Sequence, residues 1–361
     1  MRAAVCRAFG QPLSIEEVTL DPPGEGEIEV ELAACAICHS DILYADGAWG
    51  GVLPAVYGHE AAGIVRRTGA AVLDLAPGDH AVVTLIRSCG HCPCCASGMP
   101  VTCENRSLQD RRSPLRDRDG GPLVQAMRTA AFAERVVVHA SQAVAIPKDV
   151  PLESAALMAC GVITGVGAVA NTARLRPGET AVVIGAGGVG LNAIQGAALT
   201  GARIIIAIDL VPGKLDAARR FGATHTLSAS DPAQAMEGVR SITGGRGADH
   251  VFVTVGARPA FVQAFAMTAR SGSIVLVGMP ASDVRIDFSP EAIASDNQRI
   301  LGSKMGGSVI HRDIPRLVEF YRQGRLKLDE LISGRFPLEG INEAIASSKS
   351  GEALRNLIVF N

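Results

Sequence analysis

Four cysteines, Cys89, Cys92, Cys95 and Cys103, fall within fifteen residues. Four thiolates at this spacing suit a closed, tetrahedral structural zinc site, and so short a loop has little else with which to hold itself. An iron–sulfur cluster draws on the same ligand type and stays open as an alternative. Nucleic-acid zinc modules usually show two separated pairs, which this run does not. Cys94 sits inside the run, and the three-residue step through Cys89, Cys92 and Cys95 makes it a bystander. A second set is dispersed over Cys38-His39-Ser40-Asp41, Gly58-His59-Glu60 and Cys160. Taken singly, a buried Cys is more often a packing residue than a ligand. Cys160 gains weight from its place in an apolar, glycine-rich stretch.

A third pattern is Gly185-Ala186-Gly187-Gly188-Val189-Gly190, which contains G-x-G-x-x-G. It follows a strand-like run, opens a helix-like one, and is followed nineteen residues after Gly190 by Asp209. In that context Gly185, Gly187, Gly188, Val189 and Gly190 bring backbone amides and a helix N-terminus to a pyrophosphate. Asp209 would accept from a ribose diol and repel a 2′-phosphate, which favours NAD over NADP.

The elements around these residues change character along the chain. The first part is β-rich, with strict alternation through Glu27-Ile28-Glu29-Val30-Glu31-Leu32, the pattern of a strand with one wet face. Residues 104–122 are polar and read as an exposed loop. From about Pro151 strands and helices alternate, with strands predicted over 180–184, 203–208, 251–255 and 273–277 and helices over 190–199 and 212–221. That texture is a doubly wound parallel sheet of α/β class. A further helix is predicted over 314–323. The apolar stretch 155–170 is shorter than the roughly 20 residues that span a bilayer and reads as buried.

Nine cysteines without a visible export signal fit a reducing, cytoplasmic setting. A net charge of −2 gives no electrostatic ground for a nucleic-acid or membrane partner.

Taken together, these motifs resemble the zinc-containing medium-chain alcohol dehydrogenases over essentially the whole length. The resemblance rests on Cys38-His39-Ser40-Asp41, Gly58-His59-Glu60-Ala61-Ala62-Gly63 and the four-cysteine lobe. It rests also on Cys160-Gly161-Val162-Ile163-Thr164-Gly165, the glycine loop with Asp209, and Gly351-Glu352-Ala353-Leu354-Arg355. It implies a Rossmann nucleotide domain over 162–304 and a GroES-like catalytic domain from both chain ends, 1–161 and 305–361, with the zinc lobe at 89–103. It implies two zinc ions per chain: a catalytic one on Cys38, His59 and Cys160, and a structural one on the lobe. Asp41 would orient His59, Glu60 would stand behind the metal, and Ser40 would carry the hydroxyl proton. His39, Thr164, Lys214 and Arg355 would contact NAD. The expected reaction moves a hydride between NAD and a small-molecule alcohol, aldehyde or ketone, in a homodimer or homotetramer whose edge strand lies at 299–304. Leu43 departs from relatives that carry a histidine there to finish the proton relay. Trp49, Leu85, Ala126 and Met127 are expected along the substrate side.

Two alternatives accompany this reading. A glutathione-linked formaldehyde dehydrogenase would need an anion-binding residue such as Arg106 or Arg111. A non-catalytic NAD-binding protein would keep the fold without turnover.

Overall fold

In a computed structural model the chain is described over residues 1–105 and 112–360. It divides into two compact units, Met1–Gly161 with Val309–Asn361, and Val162–Ser308.

The second unit is built on six parallel strands among the described residues. Their order is His225–Ser228, Ile204–Asp209, Thr180–Ile184, Ala248–Val253, Thr268–Leu276 and Arg299–Gly302. Numbered along the chain this is 3-2-1-4-5-6, the doubly wound order. Thr180–Ile184 is buried at every position because helices cover both faces of a parallel sheet. The helix Gly188–Thr200 ends on Gly201, whose φ of 84° takes the left-handed form that closes a helix. The second boundary differs from the expected 304/305 and falls after Ser308. The turn Lys304–Gly307 belongs here because Asn171 Nδ2 donates to the Gly306 carbonyl at 3.2 Å and Ser308 Oγ to that of Ile163 at 3.3 Å.

The first unit holds a closed barrel of Arg2–Cys6, Ser14–Leu20, Leu115–Asp117, Pro122–Gln125 and Ala55–Val56. Beside it lies a sheet ordered Ala143–Ile146, His80–Val83, Glu60–Thr68, Glu27–Ala36, Arg355–Val359 and Ile332–Phe336, with Arg135–His139 also pairing Glu27–Ala36. Four expectations are corrected here. Strands Leu115–Asp117 and Pro122–Gln125 pair antiparallel, so that part of 104–122 is barrel wall, not loop. Glu29 is buried rather than wet, because Arg67 Nε donates to it at 2.7 Å and Arg135 at 3.1 Å, supplying the countercharge a buried carboxylate needs. The apolar stretch is a 22-residue helical run, Leu152–Ala173, long enough to span a membrane; 83% of its most apolar window is packed inside the protein. The tail helix runs Ile310–Arg322, starting earlier than predicted.

Candidate metal centres and nucleotide loop

Register brings the dispersed ligands together. Ala36, at the end of its strand, pairs with Glu60, so Cys38 two residues on meets His59 one residue before. Gly58 takes φ +90°, and a Cβ there would stand 2.5 Å from the Phe132 backbone nitrogen, so only glycine admits this turn. Cys38 caps the helix His39–Ala45, and Asp41 in its first turn reaches back to the Cys38 N–H at 3.1 Å. The same buried carboxylate accepts from the Gly58 N–H at 3.0 Å and from His59 Nδ1 at 2.9 Å. That fixes the ring and leaves His59 Nε2 buried with no hydrogen-bond partner among the described residues. Cys160 arrives on a π-helical turn, Met158–Val162, a local irregularity common at functional sites. Ligand atoms of Cys38, His59, Glu60 and Cys160 all lie within 4.8 Å of one another.

Electrostatics suit a cation here. The Cys160 thiol, donating to the Cys38 sulfur, holds Cys38 well below the usual thiol range, with His59 adding to the effect. Burial opposes charge on His59, but Asp41 and Cys38 lift its pKa well above the usual imidazole value. Burial pushes the Glu60 carboxyl up to about 7, against the pull of Arg355. Arg355 forms an ion pair with Glu60 and is only 8% exposed, a contact that sequence reasoning missed. No local spacing signals it, because the two residues come from opposite chain ends. An orphaned imidazole nitrogen facing two cysteine sulfurs fits zinc by both donor type and burial.

The lobe fits a second ion. Cys89, Cys92, Cys95 and Cys103 place their sulfurs within 4.8 Å of one another. The Cys92 N–H donates to the Cys89 sulfur at 3.3 Å, and the Cys95 N–H to the Cys92 sulfur at 3.5 Å. Amides from Cys95 and Glu104 bring Cys92 down to about 6. Cys94 turns away and donates to Glu104 at 3.4 Å, the bystander expected.

In the second unit, a Cβ on Gly190 would stand 1.7 Å from the Gly185 carbonyl oxygen, so the loop can close only on glycine. Gly187, Gly188 and Val189 are partly exposed, with Gly187 as the helix cap. Asp209 accepts from the Ala186 N–H at 2.7 Å and the Val211 N–H at 2.9 Å, which pins its carboxylate beside the loop. Lys214 is half-buried on the first turn of Pro212–Arg220. Thr164 is buried, its hydroxyl 3.7 Å from the Met305 sulfur. His39 is exposed and Ser40 half-buried on the helix that Cys38 caps.

A cavity of about 840 Å³ opens in the first unit, lined among others by Tyr44, Tyr57, Leu123, Ala126, Met127 and Arg128. Ala126 and Met127, expected along the substrate side, are among its lining residues. Trp49 packs edge-on against Tyr44, at 5.0 Å between ring centroids, and Leu85 is not among the lining residues described. Arg106 and Arg111 lie outside the described residues. Met127, Arg128 and Ala130 take φ of 54°, 61° and 57°. For residues other than glycine this costs on the order of 1–3 kcal/mol each and persists only where the surroundings enforce it.

Fold and sites together define a zinc metalloprotein with a dinucleotide-binding α/β unit. Residues 24–148 match the alcohol dehydrogenase GroES-like domain and residues 188–323 the zinc-binding dehydrogenase family. Alcohol dehydrogenase B of Mycobacterium tuberculosis is 35% identical over 371 residues, covering 99% of this chain and 98% of that protein. An NDMA-dependent alcohol dehydrogenase of Amycolatopsis methanolica is 35% identical over 368 residues, covering 100% and 99%. The crystal structure of benzyl alcohol dehydrogenase from Acinetobacter calcoaceticus superposes with a TM-score of 0.92 at 30% identity, covering 100% and 99%. The chain belongs to the zinc-dependent medium-chain alcohol dehydrogenase family, and so to the alcohol oxidoreductases.

Proposed function

We propose that this chain is a cytoplasmic, NAD-linked, two-zinc alcohol dehydrogenase acting on primary or secondary alcohols and their carbonyl products. The observation that carries it is the buried His59 Nε2, without a hydrogen-bond partner among the described residues, in a cluster with two cysteines. Zinc held by Cys38, His59 and Cys160 supplies Lewis acidity that eases loss of an alcohol's proton. Asp41 holds the His59 ring in the tautomer that offers Nε2. Arg355 offsets the Glu60 charge behind the cluster, and its place at the pyrophosphate belongs to the same reading. Ser40 takes the hydroxyl proton. Amides of the Gly185–Gly190 loop receive the pyrophosphate, and Asp209 the ribose diol. His39, Thr164 and Lys214 complete the cofactor contacts.

The test is a panel of alcohols, followed by NADH absorbance with free NAD as acceptor and by loss of the NDMA absorbance with NDMA as acceptor. Turnover with NAD alone supports the reading. Turnover only with NDMA points to an acceptor like that in the name of the Amycolatopsis relative. No turnover with either, at full zinc and NAD occupancy, favours a non-catalytic NAD-binding protein. Charged hydrogen bonds are worth about 1.5–3 kcal/mol, so Asp209→Gly is expected to weaken NAD roughly ten- to a hundredfold and to admit NADP. Equal use of both cofactors by the unaltered enzyme refutes that role.

The sheet edge supports a dimer. Arg299–Gly302 is the last strand in its sheet, and Ile300 is 38% exposed on it. An uncovered edge invites pairing with a second copy. Sedimentation is expected to show a dimer or larger at micromolar concentration; a monomer refutes this.

A further inference from the structure

We infer that Gln142 is a positioning residue that holds the wall of the 840 Å³ cavity and so sets which alcohols fit it. The inference rests on reading that cavity as the alcohol site.

Gln142 is fully buried, yet its side-chain amide makes three bonds. Its Oε1 accepts from Arg87 Nε at 2.7 Å, and its Nε2 donates to the carbonyls of Thr84 and Arg128, each at 3.0 Å. Its own carbonyl accepts from the Thr84 N–H at 2.9 Å. One amide thus ties two segments that supply cavity wall, one through Arg87 and one through Ala126, Met127 and Arg128.

The second segment is the strained one, with three left-handed non-glycine residues among four. Further bonds hold it: Thr129 Oγ1 donates to the Met127 carbonyl at 2.8 Å, and the Ala131 N–H to the Gly58 carbonyl at 2.8 Å. The Gly58 bond joins the wall to the residue before His59. With the Arg128 carbonyl released, residues 127–130 can relax toward ordinary backbone, and Met127 and Arg128 then point elsewhere. An amide is suited to the clamp because it accepts from a guanidinium while donating to two carbonyls. A carboxylate keeps the size but loses both donors.

The test uses the full-length, zinc-loaded enzyme and the variants Gln142→Met and Gln142→Glu. Both are expected to change the ratio of kcat/KM for benzyl alcohol to that for ethanol by roughly tenfold, mainly through KM for the aromatic substrate. Zinc content and KM for the nicotinamide cofactor should not change. A lowered thermal midpoint with an unchanged ratio would show a merely structural role and overturn the inference. Met127→Trp is the control for the cavity itself. If it leaves the ratio unaltered, the cavity reading fails; if it shifts the ratio while the Gln142 variants do not, the clamp fails. Should neither Gln142 variant fold, Gln142→Asn, which keeps the amide but shortens its reach to the Arg128 carbonyl, takes their place, and an unchanged ratio there overturns the clamp.

Discussion

Elemental analysis of the purified protein is expected to return close to two zinc ions per chain, and the two sites should fail differently when a ligand is removed. Between Cys89 and Cys103 only Val101 is buried among apolar side chains, so the lobe lacks a core of its own. Structural zinc contributes roughly 10–16 kcal/mol of apparent binding energy in zinc-finger peptides, as large as the ~5–15 kcal/mol that stabilises a whole domain. Cys95→Ser should therefore unfold the lobe, lower the thermal midpoint and sharply reduce soluble yield. Cys160→Ser should spare the lobe and its ion, because the sulfurs of Cys89, Cys92, Cys95 and Cys103 form their own cluster without Cys160. Its turnover should fall to the limit of detection. A single zinc in fully active protein contradicts this assignment.

Ser40→Ala is expected to keep zinc and cofactor binding but to lower the oxidation rate by roughly 10²–10⁴-fold, the range for positioned proton transfer. Ser40 sits two residues after Cys38, half-buried on the first turn of His39–Ala45. Leu43 lies one turn further on the same helical face and cannot pass a proton. A ribose hydroxyl or water must then finish the path. Leu43→His should leave the rate unchanged or raise it below neutral pH, where unaided proton release is slowest. Near-normal turnover of Ser40→Ala, with hydride transfer shown to limit the rate, would mean that the proton leaves by another route.

Both expectations start from motifs legible in the chain. The lobe could be read because its ligands are consecutive in sequence, so spacing alone brings four sulfurs near one point. The glycine loop could be read because strand, turn and helix follow one another within a few residues, and Asp209 ends the next strand. Four strands of the six-stranded sheet followed from buried apolar runs alternating with helical ones; the edge strand Arg299–Gly302 came only from the family resemblance, and His225–Ser228 was missed because none of its residues is buried. Alternation misled at Glu29, because period two reports a face and not whether two arginines will cover it. Composition misled at 112–122, where charged residues form a short hairpin on the barrel.

By itself, then, the sequence determined which residues are candidates to carry the chemistry: the cysteine and histidine types, their local spacing, and the loop that only glycine can close. Tertiary structure decided which of them meet. Strand Glu27–Ala36 is flanked by Glu60–Thr68 on one side and Arg355–Val359 on the other, with Ala36 opposite both Glu60 and Leu357. That register brings Cys38 to His59 and Glu60 to Arg355. It also lets Asp41 serve as helix cap and imidazole partner at once. Gln142 likewise acquires its bonds to Arg87 and Arg128 only when distant strands align. Such contacts arise from cross-strand pairing between remote segments, whose register is set by the packing of whole faces rather than by any local pattern.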